Sequence, residues 1–247
     1  MISFLRRIRR KLANENKFLQ YFSYALGEVV LVVIGILIAL QINNWNEEKK
    51  LNKTEYILLK QILKSLKSDF GRTKFIYENR ALKKRSAIDD LLNNLNQEEL
   101  PHDSILRPSF LNMTITLSFN YDKGAYESLK SHGLDIIRND SLRQRIIRLY
   151  ENDLPLGIEF INNRRELEYQ LRENYLLELT EYDYVQAQNG QWEGDINIDF
   201  RKIKDSQTLK NLIRLENEVA SNYLRRLEDK VSDFENVILL IQNELSK

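Results

Sequence analysis

The sequence predicts a mainly α-helical protein, with one N-terminal transmembrane helix followed by an extended antiparallel helical bundle. Glycine and proline, which interrupt helices, number only eight and three among 247 residues. A run of twelve residues without a polar side chain, residues 29–40, follows a basic N-terminus. Downstream, apolar residues recur at alternating steps of three and four, the spacing of long amphipathic helices.

Residues 1–20 form the predicted basic, amphipathic cytoplasmic segment. Its bases are expected to lie against lipid headgroups, either fixing topology alone or binding an anionic leaflet. These lipid-facing bases are Arg6, Arg7, Arg9, Arg10 and Lys11. Because basic flanks stay in the cytoplasm, the rest of the chain is expected on the other side of the membrane.

Residues 21–45 form the predicted transmembrane helix. Apolar runs of this length also occur in buried core helices, so the flanks decide between the two. As helix, residues 21–42 cover about 33 Å, enough for a hydrocarbon core of about 30 Å. Tyr24 and Trp45 stand at the two ends, where such rings settle at headgroup level. The flanks therefore favour an anchor. A cleaved signal peptide is the alternative, but no small residue follows Ala39 at a plausible cleavage position.

Three positions within this helix are candidate functional residues of the anchor. Gly35 and Ala39 make a small-xxx-small pair, a pattern typical of closely packed transmembrane helices. We therefore expect self-association or pairing with another membrane protein. Glu28 lies near the N-terminal boundary, where burial of a carboxylate costs less than at the bilayer centre. Glu28 either only affects the membrane topology of the helix or has a functional role.

Residues 46–247 form the predicted extracytoplasmic helical domain. Its first stripe consists of Tyr56, Leu59, Leu63, Leu66, Phe70, Thr73 and Tyr77, then Ala81, Lys84, Ile88, Leu91 and Leu95. The step from Tyr77 to Ala81 repeats a four, a stutter that locally unwinds a coiled coil. Gly71 is the expected position of a bend. The predicted packing stripe of the last helix is Leu224, Leu227, Val231, Phe234, Ile238, Ile241 and Leu245.

Shorter elements are predicted between these stripes. A helix over residues 123–131 ends at Gly133, and a second, beginning at Leu142, is capped by Asn139 or Asp140. Helical spacing resumes after Pro155 and continues to Leu179.

Two strands and a loop complete the predicted elements. Pro101 and Pro108 are expected to bracket the loop. Residues 111–119 and 195–200 alternate as short strands do.

Composition and motifs favour no catalytic or cofactor chemistry. There is no cysteine, which excludes disulfides and thiolate catalysis. The formal charge is +1, but residues 1–20 carry +5, so a mildly acidic remainder argues against a nucleic-acid binder. His102 and His132 are thirty residues apart and are interpreted as satisfied or solvated side chains. We expect neither a metal nor a cofactor, and no enzyme.

Two local patterns imitate binding motifs. Asp195, Asn197 and Asp199 resemble the start of a calcium loop, but Phe200 stands where such a loop needs glycine. A strand with acids facing water is favoured. Residues 126–150 read as helix, turn, helix with four arginines, as in DNA-reading motifs. A packed helical hairpin is favoured, because apolar residues occupy much of the second helix. The four arginines are Arg138, Arg143, Arg145 and Arg148.

The anchor phrase GEVVLVVIGILIALQINNWNEEKK (residues 27–50) and the later phrase YESLKSHGLDIIRNDSLRQRIIRLY (residues 126–150) carry a resemblance. Together they resemble an uncharacterised family, a domain of unknown function, of single-pass membrane proteins from Gram-negative bacteria. The resemblance implies a periplasmic helical domain on an inner-membrane anchor, and it supplies no catalytic residues.

Two non-enzymatic classes of function follow. In the first, the protein is a scaffold or accessory subunit acting through protein–protein interaction, as an oligomer. In the second, the helices form a ligand-sensing bundle. Because residues 1–20 are too few for an output domain, a sensor would signal through a partner.

Overall fold

The computed structural model describes residues 18–186 and 190–247 and divides into two compact units, one ending at Tyr56 and the other beginning at Ile57. The predicted lipid-facing bases Arg6, Arg7, Arg9, Arg10 and Lys11 lie outside the described residues.

The first unit is helical over its described residues, because helix α1 runs from Phe18 to Ile76 and continues into the second unit. Within the described ranges, this is the one helix long and apolar enough to cross a membrane, judged by length and composition alone. Its apolar side chains are exposed, for example Leu31 at 71% and Leu37 at 58%. Such exposure is what a lipid-facing helix requires.

The second unit is mainly helical, and a short two-stranded sheet interrupts it late in the chain. Its helices after α1 are α2 (Leu82–Leu95), α3 (Asp103–Met113), α4 (Gly124–His132), α5 (Asp140–Arg148), α6 (Leu154–Ile158), α7 (Arg164–Leu179), α8 (Phe200–Ile203) and α9 (Gln207–Leu245). Wider π turns lie at Tyr77–Ala81, Leu149–Asp153 and Glu159–Asn163, and a 3-10 turn lies at Leu134–Ile136. The strands are β1 (Glu181–Gln186) and β2 (Trp192–Asn197), which pair antiparallel.

The predicted stutter between Tyr77 and Ala81 coincides with the first π turn. Such a turn adds a residue to the helical repeat, so the stripe resumes in phase beyond it. Ala81, Lys84 and Ile88 are accordingly buried. At Gly71, where a bend was expected, α1 continues as regular helix on both sides.

Helix α9 connects two apolar clusters of the second unit. Its N-terminal half packs with α2 and α3, and its C-terminal half packs with α1, α4 and α5. Of its predicted stripe, Leu227, Phe234, Ile238 and Ile241 are buried, and Leu224, Val231 and Leu245 are partly exposed. The last helix therefore packs along its whole length.

The predicted middle helices are confirmed to within two residues. Asn139, rather than Asp140, caps α5, since its side-chain oxygen accepts the Leu142 N–H at 3.2 Å. Gly133 ends α4 with φ of +92°, a conformation in which a side chain would be strained.

The predicted strand over residues 111–119 is wrong. Helix α3 extends to Met113, and the following segment pairs with side chains instead of another strand. The Asn162 amide accepts the Phe119 N–H at 3.0 Å and donates to its carbonyl at 2.7 Å. The Lys84 ammonium donates to the carbonyls of Met113 and Ile115. These side chains satisfy backbone groups that a neighbouring strand would otherwise have paired.

Two other boundaries differ from the sequence prediction. Pro108 lies inside α3, not at the end of a loop. It is the sixth residue of this helix, where its missing N–H removes one backbone hydrogen-bond donor. The second predicted strand exists as β2, but it begins earlier, at Trp192, and ends at Asn197. Phe200 is instead the first residue of α8, where Asp199 caps the helix.

Candidate functional site

The hairpin formed by β1 and β2 presents aromatic rings on one face. Tyr182 pairs with Ile196, Tyr184 with Gly194 and Gln186 with Trp192, so these side chains share a face. Tyr182, Tyr184 and Trp192 are 60%, 69% and 68% exposed. We call Tyr182, Tyr184 and Trp192 the aromatic face.

Gly194 creates the space in which one of these rings lies. A Cβ atom at this position would stand 2.6 Å from the Tyr182 Cζ atom, closer than side chains tolerate. The Tyr182 ring therefore crosses the neighbouring strand over Gly194. It also contacts the Tyr184 ring edge to face, with centroids 5.5 Å apart.

The opposite face of the hairpin is acidic. Glu181 and Asp183 are exposed there, and Asp195 stands directly opposite Asp183. Arg107 of α3 pairs with the Asp195 carboxylate, which relieves the repulsion between the two aspartates. The surrounding chain has the same sign: residues 173–199 contain seven Asp or Glu and no Lys or Arg.

A cavity of about 230 Å³ lies at the base of the aromatic face. Tyr182 and Ile196 of the hairpin, Leu176 and Leu177 of α7, and Phe110 of α3 line it. Glu173 is the single charged residue in this lining. The cavity therefore combines mainly apolar walls with one carboxylate.

A buried ionic cluster connects three helices in the interior of the second unit. The Glu216 carboxylate of α9 accepts from Lys84 of α2 and from Arg172 of α7. All three side chains are at most 4% exposed. Arg172 also donates to the Thr116 hydroxyl at 3.2 Å. Desolvation lowers the pKa of the Lys84 ammonium, and the Glu216 charge opposes that shift.

A second buried polar group lies beside α1. Asp69 is fully buried, and its carboxylate accepts the Asp122 N–H at 2.9 Å. Its other oxygen has the Arg72 guanidinium at 3.7 Å but no hydrogen bond within the described structure. Burial raises the pKa of Asp69. Burial also raises the pKa of the neighbouring Tyr150 phenol, and the Asp69 charge raises it further.

Three hydroxyl groups near Asp69 are, like one of its oxygens, buried without a hydrogen bond in the part of the chain that the structure describes. Those of Thr73, Tyr121 and Tyr150 are buried without a hydrogen-bond partner among the described residues. We call Asp69, Thr73, Tyr121 and Tyr150 the polar interior. Groups of this kind normally bind a water molecule or a small polar ligand.

The predicted anchor residues all lie on α1. Tyr24 and Glu28 are partly exposed, and Gly35, Ala39 and Trp45 are exposed. Apart from its chain neighbours and the helix's own backbone, nothing in the described ranges lies within 4 Å of the position that a Cβ of Gly35 would take. Within the described first unit, the small-residue face is thus open.

The arginines of the middle helices pair with nearby acceptors of the second unit. Arg143 donates to the Ile137 carbonyl at 2.9 Å, and Arg145 donates to Asp233 of α9 at 3.1 Å. Arg148 lies 3.6 Å from Asp153. These contacts agree with the packed-hairpin interpretation of residues 126–150.

The remaining candidate ligands act as helix caps or close local contacts. The His102 ring accepts the Ser104 N–H at 3.2 Å and caps α3, and His132 contacts the Ser128 carbonyl. Asp199 accepts the Lys202 N–H at 3.3 Å, and bonds from Lys202 lower the pKa of Asp199. In the described ranges, no group of three His, Cys, Asp or Glu side chains is arranged to hold a metal ion.

Sequence reasoning missed the aromatic face and both buried polar groups. Strand β1 was not predicted, although Tyr182 and Tyr184 alternate with acids and a stretch without bases surrounds them. Lys84 was placed on the buried stripe by its spacing, but spacing does not reveal its partners. Glu216 and Arg172 lie 132 and 88 residues from Lys84 in sequence, so local pattern carries no signal of the cluster.

A family model described as "Family of unknown function (DUF6090)" matches residues 28–173. This range covers the apolar part of α1 and extends into α7, and it ends before the hairpin. No curated protein matches the chain, and no solved structure does.

Proposed function

Since the chain belongs to the DUF6090 family of unknown function, which supplies no activity, we propose from its surface that it is a membrane-anchored, non-enzymatic interaction protein. In this proposal α1 anchors the chain in the inner membrane, with its N-terminus in the cytoplasm. The remaining helices form an extended antiparallel bundle in the periplasm. The protein acts as a scaffold or accessory subunit and binds no nucleic acid.

The aromatic face is the observation that carries the proposal. Tyrosine and tryptophan are enriched at protein interfaces because each buries a large rigid surface at little cost in conformational entropy. Three such rings on one small hairpin, each more than half exposed, leave apolar area in water that a partner would cover. The hairpin also offers strand edges, since β1 and β2 pair only with each other among the described strands.

Site-specific photocrosslinking in intact cells tests this proposal. A photoreactive residue in place of Tyr184 should crosslink to a discrete partner protein, because Tyr184 lies in the centre of the aromatic face. The matched control is the same residue in place of Tyr169, which is 48% exposed on α7 and outside the cavity lining. Equal crosslinking at both positions, or none at Tyr184, would contradict the proposal.

The polar interior favours a second candidate, a ligand-sensing bundle that signals through a partner. A small polar ligand would satisfy the Asp69 oxygen and the neighbouring hydroxyl groups, and binding to the folded state raises the melting temperature. The test is a thermal-shift series on the full chain in detergent with free amino acids and monosaccharides. A sensor should show a rise that Tyr150→Phe abolishes. No rise with any probe would argue against sensing.

A further inference from the structure

We propose that the partner segment bound by the aromatic face is basic, and that one of its Lys or Arg side chains enters the cavity beside Glu173. This inference rests on the proposed function and adds the chemistry of the partner. It joins two features of the same surface: the charge of the hairpin region and the lining of its cavity.

The hairpin and the end of α7 are acidic. The chain as a whole is nearly neutral, but residues 173–199 carry seven acids and no base. Two of them are in ion pairs, Asp195 with Arg107 and Asp199 with Lys202. Glu178 accepts a hydrogen bond from the uncharged Thr208. Glu173 in the cavity lining and Glu181 and Asp183 on the opposite face of the hairpin give this region a negative potential, which attracts a basic segment and accelerates its association.

The lining of the cavity fits a basic side chain. Its walls are mainly apolar side chains and the Tyr182 ring, with Thr114 and Thr180 beside them, and its one charged group is the Glu173 carboxylate. Lys and Arg side chains are complementary to this lining, because each has an apolar stem that ends in a cationic head. The stem can pack on Leu176 and Leu177 while the head reaches Glu173 or the face of Tyr182.

The same charge disfavours two other occupants. In a symmetric dimer each surface patch meets its own copy, so acids would face acids across the interface. An anionic lipid surface would be repelled for the same reason. An uncharged apolar strand gains nothing from Glu173. A basic protein segment is therefore the occupant that the surface fits.

Fluorescence of Trp192 provides the readout. Trp45 and Trp192 are the only tryptophans, so Trp45→Phe in the full chain leaves a single reporter within the aromatic face. The probes are two capped pentapeptides in detergent solution, Leu-Lys-Leu-Lys-Leu and its counterpart with Glu for both Lys. The Lys peptide should change the Trp192 emission saturably, and the Glu peptide should not. The response should weaken as salt is raised.

Two variants locate the binding. Glu173→Gln should weaken the Lys peptide about tenfold, and Tyr182→Ala should weaken it by a similar factor, as expected for a partly desolvated charge pair and a cation–π contact. The matched control is Glu166→Gln, on the same helix and bonded to Gln170 outside the cavity. It should leave binding unchanged.

Three results would overturn the inference: equal binding of both peptides, no binding of the Lys peptide, or equal effects of Glu173→Gln and Glu166→Gln. Crosslinking from Tyr184 separates this failure from that of the proposed function. A specific crosslinked partner together with a failed peptide test refutes only the basic chemistry of the partner. Loss of both refutes the interaction surface itself.

Discussion

Buried charged residues in the interior are stabilised by groups of opposite charge and by hydrogen bonds, which the apolar spacing of the sequence does not reveal. Lys84 occupies a buried position of the first stripe, where its ammonium is compensated by Glu216 and two backbone carbonyls. Arg172 shares the same carboxylate, with a second bond of 3.2 Å from its other nitrogen. One carboxylate therefore serves two buried cations, so the three residues should respond unequally to substitution.

Glu216→Gln should be the most damaging change in this cluster. It leaves Lys84 and Arg172 buried together without a counter-charge, at an expected cost of about 3–5 kcal/mol in the free energy of unfolding. Lys84→Met removes one cation and preserves the Arg172–Glu216 pair, so the expected cost is smaller, about 1–2 kcal/mol. Urea unfolding of the full chain in detergent, followed by circular dichroism, measures both.

An exposed ion pair serves as the control for these variants. Asp195→Asn breaks the pair with Arg107, both of whose side chains are about 40% exposed, and should cost less than about 1 kcal/mol. If Lys84→Met destabilises as much as Glu216→Gln, the account of the cluster as one carboxylate serving two cations is wrong.

Asp69 should make stability depend on pH. Burial raises its pKa in the folded protein above the unfolded value of 3.8, so folding favours the protonated form. Its stabilising contribution is complete below the unfolded pKa and is lost as the pH rises through the folded pKa. Asp69→Asn removes this titration while keeping an acceptor for the Asp122 N–H.

Asp69→Asn should melt at a higher temperature than the wild type at pH 7. The gain should be about 2–4 °C, the equivalent of about 1 kcal/mol, and it should shrink as the pH falls toward 4. Melting curves of the two full chains from pH 4 to 8 measure the difference. Asp89→Asn, at an exposed position of α2, should not reproduce the gap. A difference that is constant with pH would contradict the argument.

Among the elements, those that follow from local pattern were predictable and those that need a distant partner were not. The middle helices follow from Gly133 and Asn139, which are local stop and start signals. Strand β1 exists only through its pairing with β2, and the segment after α3 is held by hydrogen bonds between Asn162 and Phe119. The aromatic face depends on such pairing, so the sequence predicted a strand with acids near Asp195 but not the aromatic face of the hairpin.

The hairpin predicts a specific effect of a single methyl group. Gly194→Ala places a Cβ atom against the Tyr182 ring and should displace that ring from the cavity. Crosslinking from Tyr184 should fall, while the free energy of unfolding changes by less than about 1 kcal/mol, because the hairpin surface is exposed. Gly71→Ala is the matched control. Apart from its chain neighbours and the helix's own backbone, nothing among the described residues lies within 4 Å of a Cβ atom there, so this change should leave crosslinking intact. Unchanged crosslinking in Gly194→Ala would contradict the role of the ring position.

At the scale of the whole molecule, composition and the apolar run were enough to predict a mainly helical chain with a long apolar N-terminal helix. The family match over residues 28–173 agrees with the resemblance to an uncharacterised domain. The π turns at Leu149–Asp153 and Glu159–Asn163 and strand β1 required tertiary context, because each adjusts helix phase or pairing to a distant neighbour.

We expect the chain to self-associate through the apolar part of α1. Gly35 and Ala39 leave an open strip on α1, and close approach of a second helix needs such small residues. Gly35→Ile fills the strip and should convert a self-associated chain in detergent into monomers, as measured by light scattering and in-cell crosslinking. Val33→Leu, which changes the opposite side of the helix, should leave the mass unchanged. A wild-type chain that is already monomeric in both assays would refute self-association through this strip. Partner capture at Tyr184 is a separate property, and Gly35→Ile should preserve it.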